Sequence, residues 1–208
     1  LIPNGHITGL DNSEKMIQHA IESLKNKKNI RFIAHDASKN HFSNEFDYIL
    51  SFGCMHWIKD QLSTFRSIKN ALKQKGKLFV MLYPRCEIQT AALNEVCNNT
   101  EKWSKYFIGY ENPFYSYNVS FYRELLNKLG FETHRLEMTP ETYVIYEKIE
   151  HLINFMSGWL PQANEVPINL RQQFLQCLCE KYAENIGFNM HSGIHVPFRK
   201  IIIYASRQ

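Results

Sequence analysis

The chain has 208 residues, 44% hydrophobic and 21% charged, enough for one globular domain with a full core. Its formal net charge is only +4, and the lysines that cluster at 25, 27 and 28 and at 73, 75 and 77 flank expected helix ends. That pattern argues against a nucleic-acid surface. No apolar run approaches the ~20 residues that span a bilayer, and no signal-peptide pattern leads the chain.

Taken in order, His6–Leu10 reads as a strand and Ser13–Leu24 as an amphipathic helix. Asn29–Ala34 reads as a strand, and Phe46–Ser51 as an apolar strand buried on both faces. Leu62, Phe65, Ile68, Ala71 and Leu72 follow helical spacing; Gly76 marks a turn into the strand Leu78–Tyr83, which Pro84 stops. Strand–helix alternation of this kind predicts parallel strands joined by right-handed crossovers. Past Pro84 the pattern changes. Cys86–Lys102 reads as a helix, followed by an aromatic loop from Trp103 to Tyr117, a helix Phe121–Leu129 closed by Gly130, and a strand Phe131–Met138. Helices Ile149–Trp159 and Leu170–Glu184 follow, and Lys200–Ser206 is the last strand.

Five cysteines, at 54, 86, 97, 177 and 179, show no disulfide framework and suggest a reducing, cytoplasmic setting. Cys177 and Cys179 with His191 and His195 invite a zinc reading. A one-residue gap between cysteines is tighter than common zinc spacing, so no metal site is expected.

Asp11 ends the run Ile7–Leu10 just before a helix start, a position from which a carboxylate can hold ribose hydroxyls or simply cap the helix. Asp36 follows the next strand in Phe32-Ile33-Ala34-His35-Asp36-Ala37, and a loop Asp that shapes a turn is its plainer reading. The third block is Phe46-Asp47-Tyr48-Ile49-Leu50-Ser51-Phe52-Gly53-Cys54-Met55-His56-Trp57.

With Leu72-Lys73-Gln74-Lys75-Gly76-Lys77-Leu78, these pieces in register resemble a class I S-adenosylmethionine-dependent methyltransferase. The His56-Trp57 pair resembles the branch that holds trans-aconitate and juvenile-hormone-acid methyltransferases and the carboxyl methyltransferase of biotin synthesis. The resemblance implies a Rossmann-like, doubly wound α/β fold. Its sheet would be mostly parallel with an antiparallel C-terminal strand and a helical lid insertion. It implies one domain over 1–208, lacking an N-terminal glycine-rich segment, with residues 86–118 and 147–196 as cover on the substrate side.

By the same resemblance, Asp11 and Asn12 meet the ribose, Asp36 and Ala37 the adenine, and Ser51 and Phe52 the amino-acid end of S-adenosylmethionine. His56 and Trp57 are the catalytic pair, in positioning rather than base roles. Tyr83 and Arg85 are candidates to meet a small or lipid-like carboxylic acid, with Arg123 and Arg199 as weaker ones. Such transfer needs no proton to move, only in-line alignment and exclusion of water. Without the glycine-rich segment, cofactor binding by these 208 residues alone is expected to be poor.

Two rival readings stay open at this point. One is a non-catalytic module that keeps the fold, motivated by the absent glycine turn. The other is a nicotinamide-dependent oxidoreductase, disfavoured because no Tyr-x-x-x-Lys pair sits in a suitable helix. Oligomeric state and the identity of the acid are not legible.

Overall fold

A computed structural model describes residues 4–187 and 193–208. The chain divides into two compact units. Unit 1 comprises residues 1–80, 120–136 and 203–208; unit 2 comprises residues 81–119 and 137–202. The segments expected to act as cover, 86–118 and 147–196, fall within the bounds of unit 2. His191, one of the residues weighed for zinc, lies outside the described residues.

Strand β1 (Ile7–Asp11) and strand β2 (Ile30–Ala34) pair in parallel, joined by helix α1 (Glu14–Ser23). Ser13 caps α1 by accepting the Met16 backbone N–H at 3.3 Å. Strand β3 (Phe46–Phe52) leads to helix α2 (Gln61–Ala71), which Asp60 caps by accepting the Ser63 N–H at 2.9 Å. Strand β4 (Leu72–Leu82) follows at once. Helix α3 (Glu87–Asn99), the short helix α4 (Glu101–Ser104) and helix α5 (Val119–Lys128) come next, then strands β5 (Phe131–Met138) and β6 (Thr142–Tyr146). Helices α6 (Ile149–Ser157) and α7 (Arg171–Asn185) and strands β7 (Ile194–Phe198) and β8 (Ile201–Arg207) complete the order.

The fold is Rossmann-like α/β, mostly parallel with antiparallel strands. Its strands fall into three hydrogen-bonded groups: β1-β2, β3-β4-β8-β5, and the antiparallel ribbon β6-β7.

Three expectations need correcting. β4 starts at Leu72, not Leu78, so Gly76 lies within a strand instead of before it. The reason is local. Lys75 turns to φ 61°, and a Cβ on Gly76 would sit 2.7 Å from the Lys73 carbonyl and 3.0 Å from that of Phe46. Glycine lets the strand kink and the Phe46 backbone approach closely.

Second, β3 is not buried on both faces: Tyr48, Leu50 and Phe52 are 64, 60 and 58% exposed. Side chains alternate along a strand, and among the described residues no layer covers this face. Third, β6 and β7 were not foreseen. Pro197 had read as the approach to the last strand, yet it pairs opposite Tyr143 in a two-stranded ribbon, where its missing N–H can face outward.

In unit 1 the core lies behind β4 and β8. Phe65 and Ile68 of α2, Leu78 and Val80 of β4, and Tyr122 and Leu126 of α5 are buried. Lys69 of α2 donates to the Leu129 and Gly130 carbonyls, holding α2 to the turn after α5. Unit 2 has its own core, in which Leu93 and Val96 of α3 meet Leu152 and Met156 of α6 and Phe174 and Leu178 of α7.

Candidate active site

The parallel register sets Asp11 opposite Ala34, and the His35 N–H donates to the Asp11 carbonyl at 2.8 Å. Asp11 and Asp36 therefore stand at the same end of neighbouring strands. One residue of slip would have turned every β1 side chain to the other face.

Asp11 is exposed, and its Oδ1 accepts the Ser13 N–H at 2.8 Å. The carboxylate thus organises the entry to α1, while Ser13 is the residue that caps it. Asn12, between them, is exposed.

Asp36 Oδ1 accepts both the Ser38 N–H (2.8 Å) and the Ser38 hydroxyl (2.7 Å), at the head of a short 3-10 turn spanning Ala37–Lys39. Those two bonds, the hydroxyl first, hold the Asp36 carboxyl below its ordinary range. Lys39 Nζ stands 3.8 Å from Oδ2, an exposed pair of small energetic weight. The turn is seated on α2, whose Ser67 hydroxyl donates to the Ser38 carbonyl at 3.3 Å.

Beyond β3, Gly53 adopts φ 65° and the chain turns through Cys54 into a 3-10 turn, Met55–Trp57. Cys54 is exposed on one side and crowded on the other. That crowding, and then the charges of Asp11 and Asp36, push its thiol pKa up. Both carboxylates thus act electrostatically on one sulfur in the turn after β3. The Ser51 hydroxyl, near the same sulfur, is buried without a hydrogen-bond partner in good geometry, among the described residues. Phe52 packs its ring 5.8 Å from that of Phe79.

His56 is buried, and burial pushes its pKa down to about 4, so the imidazole is neutral near pH 7. Its ring lies 5.0 Å from the Trp57 indole, tilted by 52°. Gln61, buried at the start of α2, donates to the Met55 carbonyl (2.7 Å) and the Ile58 carbonyl (2.5 Å), clamping this turn. From the sequence, neither Gln61 nor Cys54 was given a role at the site. The only available signal for Gln61 was a polar residue at a helix start whose spacing faces the core.

Tyr83 and Arg85 belong to unit 2. The Tyr83 ring meets Phe198 edge-on at 6.1 Å. The Arg85 guanidinium donates to the Phe114 carbonyl at 3.1 Å, and its backbone N–H donates to the Ser116 hydroxyl at 2.9 Å. Arg85 therefore orders the aromatic loop. Arg199 is paired with Glu141 at 3.2 Å, and Arg123 is exposed on α5.

The unit 1 residues fit an adenosine-bearing cofactor. Asp11 offers a carboxylate oxygen that no described hydrogen bond uses, Asp36 is held ionised, and Ser51 has an unsatisfied hydroxyl. Among the described residues no group of three or more His, Cys, Asp or Glu could hold a metal ion. No helix there is long and apolar enough to cross a membrane.

Fold and strand-end acids together define a Rossmann-like enzyme domain. The family described as "Methyltransferase domain" matches residues 1–139, and the chain belongs to it: an S-adenosylmethionine-dependent methyltransferase. Juvenile hormone acid O-methyltransferase of Drosophila melanogaster is 25% identical, over all of this chain and 74% of its own length. The Bombyx mori enzyme of the same name is 21% identical, over 98% of this chain and 76% of its own. Among solved structures, the YcgJ protein of Bacillus subtilis superimposes with a TM-score of 0.62 at 14% identity. That match covers 98% of this chain and 82% of the other.

Proposed function

We propose that this methyltransferase esterifies a carboxylate oxygen of a small or lipid-like acid. The observation that carries the reading is the pair of acids, Asp11 and Asp36, at the same end of neighbouring strands, together with a buried, neutral His56 that offers no strong base. It is supported by the similarity to enzymes named for O-methylation of juvenile hormone acid.

When bound, S-adenosylmethionine supplies a methyl group already activated by its sulfonium. Asp11 would accept from ribose hydroxyls through the oxygen that Ser13 leaves unused, with Asn12 beside it. Asp36 would accept from the adenine amino group, with Ala37 lining the same turn. Backbone at Ser51 and Phe52 would meet the amino-acid end.

His56 and Trp57 form a packed wall and do not move a proton. An imidazole with a pKa near 4 is a weak base, and a carboxylate acceptor needs none, being ionised at neutral pH. What the reaction needs instead is alignment and a dry environment, which a turn clamped by Gln61 can help provide. In unit 2, Arg85 is the cation proposed for the acid, oriented by the Phe114 carbonyl, with Tyr83 as a neighbouring aromatic contact.

The test is transfer of radiolabelled methyl to a panel of short and long-chain acids, read as base-labile ester counts. Ester formation on at least one acid is expected. A protein that is thermally stabilised by S-adenosylhomocysteine yet labels only amines would refute the carboxylate assignment.

A further inference from the structure

Five aromatic side chains of unit 2 form a connected row that stays half open. Tyr83, just past β4, meets Phe198 of β7 edge-on at 6.1 Å. Phe198 meets Phe155 of α6 edge-on, also at 6.1 Å. Phe155 in turn meets Trp159 at 5.7 Å and Tyr146 of β6 at 5.6 Å. Tyr146, Phe155, Trp159 and Phe198 pack against the buried core of the unit, yet all five residues of the row are only half-buried. Other rings of unit 2 are shut away: Trp103, Phe107 and Phe174 are 2, 8 and 0% exposed. Core packing alone therefore does not account for a continuous strip of rings kept partly in water.

The row is uncharged along its length. Arg85 follows Tyr83 by two residues, and Arg199, next to Phe198, is already paired with Glu141 at 3.2 Å. A strip of rings that starts beside a cation complements a molecule built the same way, with one carboxylate and an apolar chain. A second carboxylate farther along that chain would lose its water against the rings and gain no cation in exchange.

We infer that Tyr83, Phe198, Phe155 and Trp159, with Tyr146 beside them, form the subsite for the chain of a long monocarboxylic acid whose carboxylate lies at Arg85. The inference rests on the reading of this protein as a carboxylate methyltransferase and narrows its acceptor from small or lipid-like acids to the long, singly charged ones. Each methylene that leaves water against the rings should tighten binding by roughly threefold. The gain should continue as far as the row extends and then stop. The same rings select against polycarboxylic acids, because a charge placed on them has no partner.

The experiment is titration calorimetry with unbranched saturated acids from butanoate to decanoate, and with decanedioate, in the presence of S-adenosylhomocysteine. Kd should fall by at least about a hundredfold from butanoate to decanoate. Decanedioate, the same chain with a second charge, should bind at least about tenfold more weakly than decanoate. Phe155→Ser should erase most of the gain for decanoate and leave butanoate unchanged. Phe155→Leu, the milder variant should the first not fold, should weaken decanoate by about threefold and again spare butanoate. Affinity that does not change with chain length overturns the inference, as do equal affinities for decanoate and decanedioate or equal losses for short and long acids in the variants. Ester formation on short acids with a flat binding series would leave the proposed function standing and sink the subsite. Length-dependent binding without ester formation would refute only the proposed function.

Discussion

Unit 2 is richer in apolar side chains than the front of unit 1, and the two place them differently. In unit 2, α3, α6 and α7 bury one another. The Trp103, Phe107 and Phe174 rings meet at 5.5 Å about Phe174, while Ile108, Ile168 and the β6 residues Tyr143 and Ile145 stay exposed outside that cluster. In residues 4–54 of unit 1, well-formed strands and a well-capped helix hold apolar faces that remain exposed. Secondary structure in this region is therefore complete before its tertiary packing is. Local hydrogen bonds and caps need only the chain's own neighbours, whereas burial needs a second surface.

The contrast can be broken or sharpened by substitution. The largest effect is expected at Phe174, fully buried among rings: Phe174→Ala should cost ~3–5 kcal/mol in urea unfolding, by lost transfer energy and a cavity. A loss under about 1 kcal/mol would mean that unit 2 is no better packed than the front of unit 1.

Next comes His56, the one buried titratable group of the candidate site. Its pKa falls on folding from 6.5 to about 4, so between those values the unfolded chain binds the proton that the folded chain rejects. Stability should be full above pH 6.5 and fall as the pH is lowered toward 4, by roughly 3 kcal/mol across the window. His56→Phe should flatten that part of the profile; an unchanged slope in the variant would assign it to other groups.

Asp11→Ala separates site from scaffold. Removing its bond to Ser13 should cost about 1 kcal/mol of stability. Affinity for S-adenosylhomocysteine should fall about 10- to 100-fold by calorimetry, as expected for losing a hydrogen bond to a charged group. Equal affinity would leave Asp11 as a turn former alone.

The smallest effect is expected at Leu50. Leu50→Ala in the 208-residue chain should change stability by less than about 0.5 kcal/mol, since little of the side chain leaves water. A loss near 2 kcal/mol would show that something covers β3 in solution.

Much of this was legible from residue order. Helical spacing placed α1, α2, α5, α6 and α7 within a few residues, and a carboxylate at each of two strand ends marked Asp11 and Asp36. The misses have physical causes. The first stretch of β4 was hidden because Lys75 and Gly76 look like a turn, and a kinked strand uses the same residues. β6 and β7 were hidden because neither alternates cleanly and one holds a proline.

The order of residues alone determined most of the helices, where the acids fall, and that the chain belongs with cofactor-binding α/β domains, because periodicity and capping are local properties. Tertiary structure decided what the residues do in company. It set Cys54 in the field of two carboxylates and shut His56 away from water. It turned Arg85 toward the Phe114 carbonyl and left one face of β3 open. Each of those depends on a neighbour distant along the chain, and pattern along a sequence carries no distance between such neighbours.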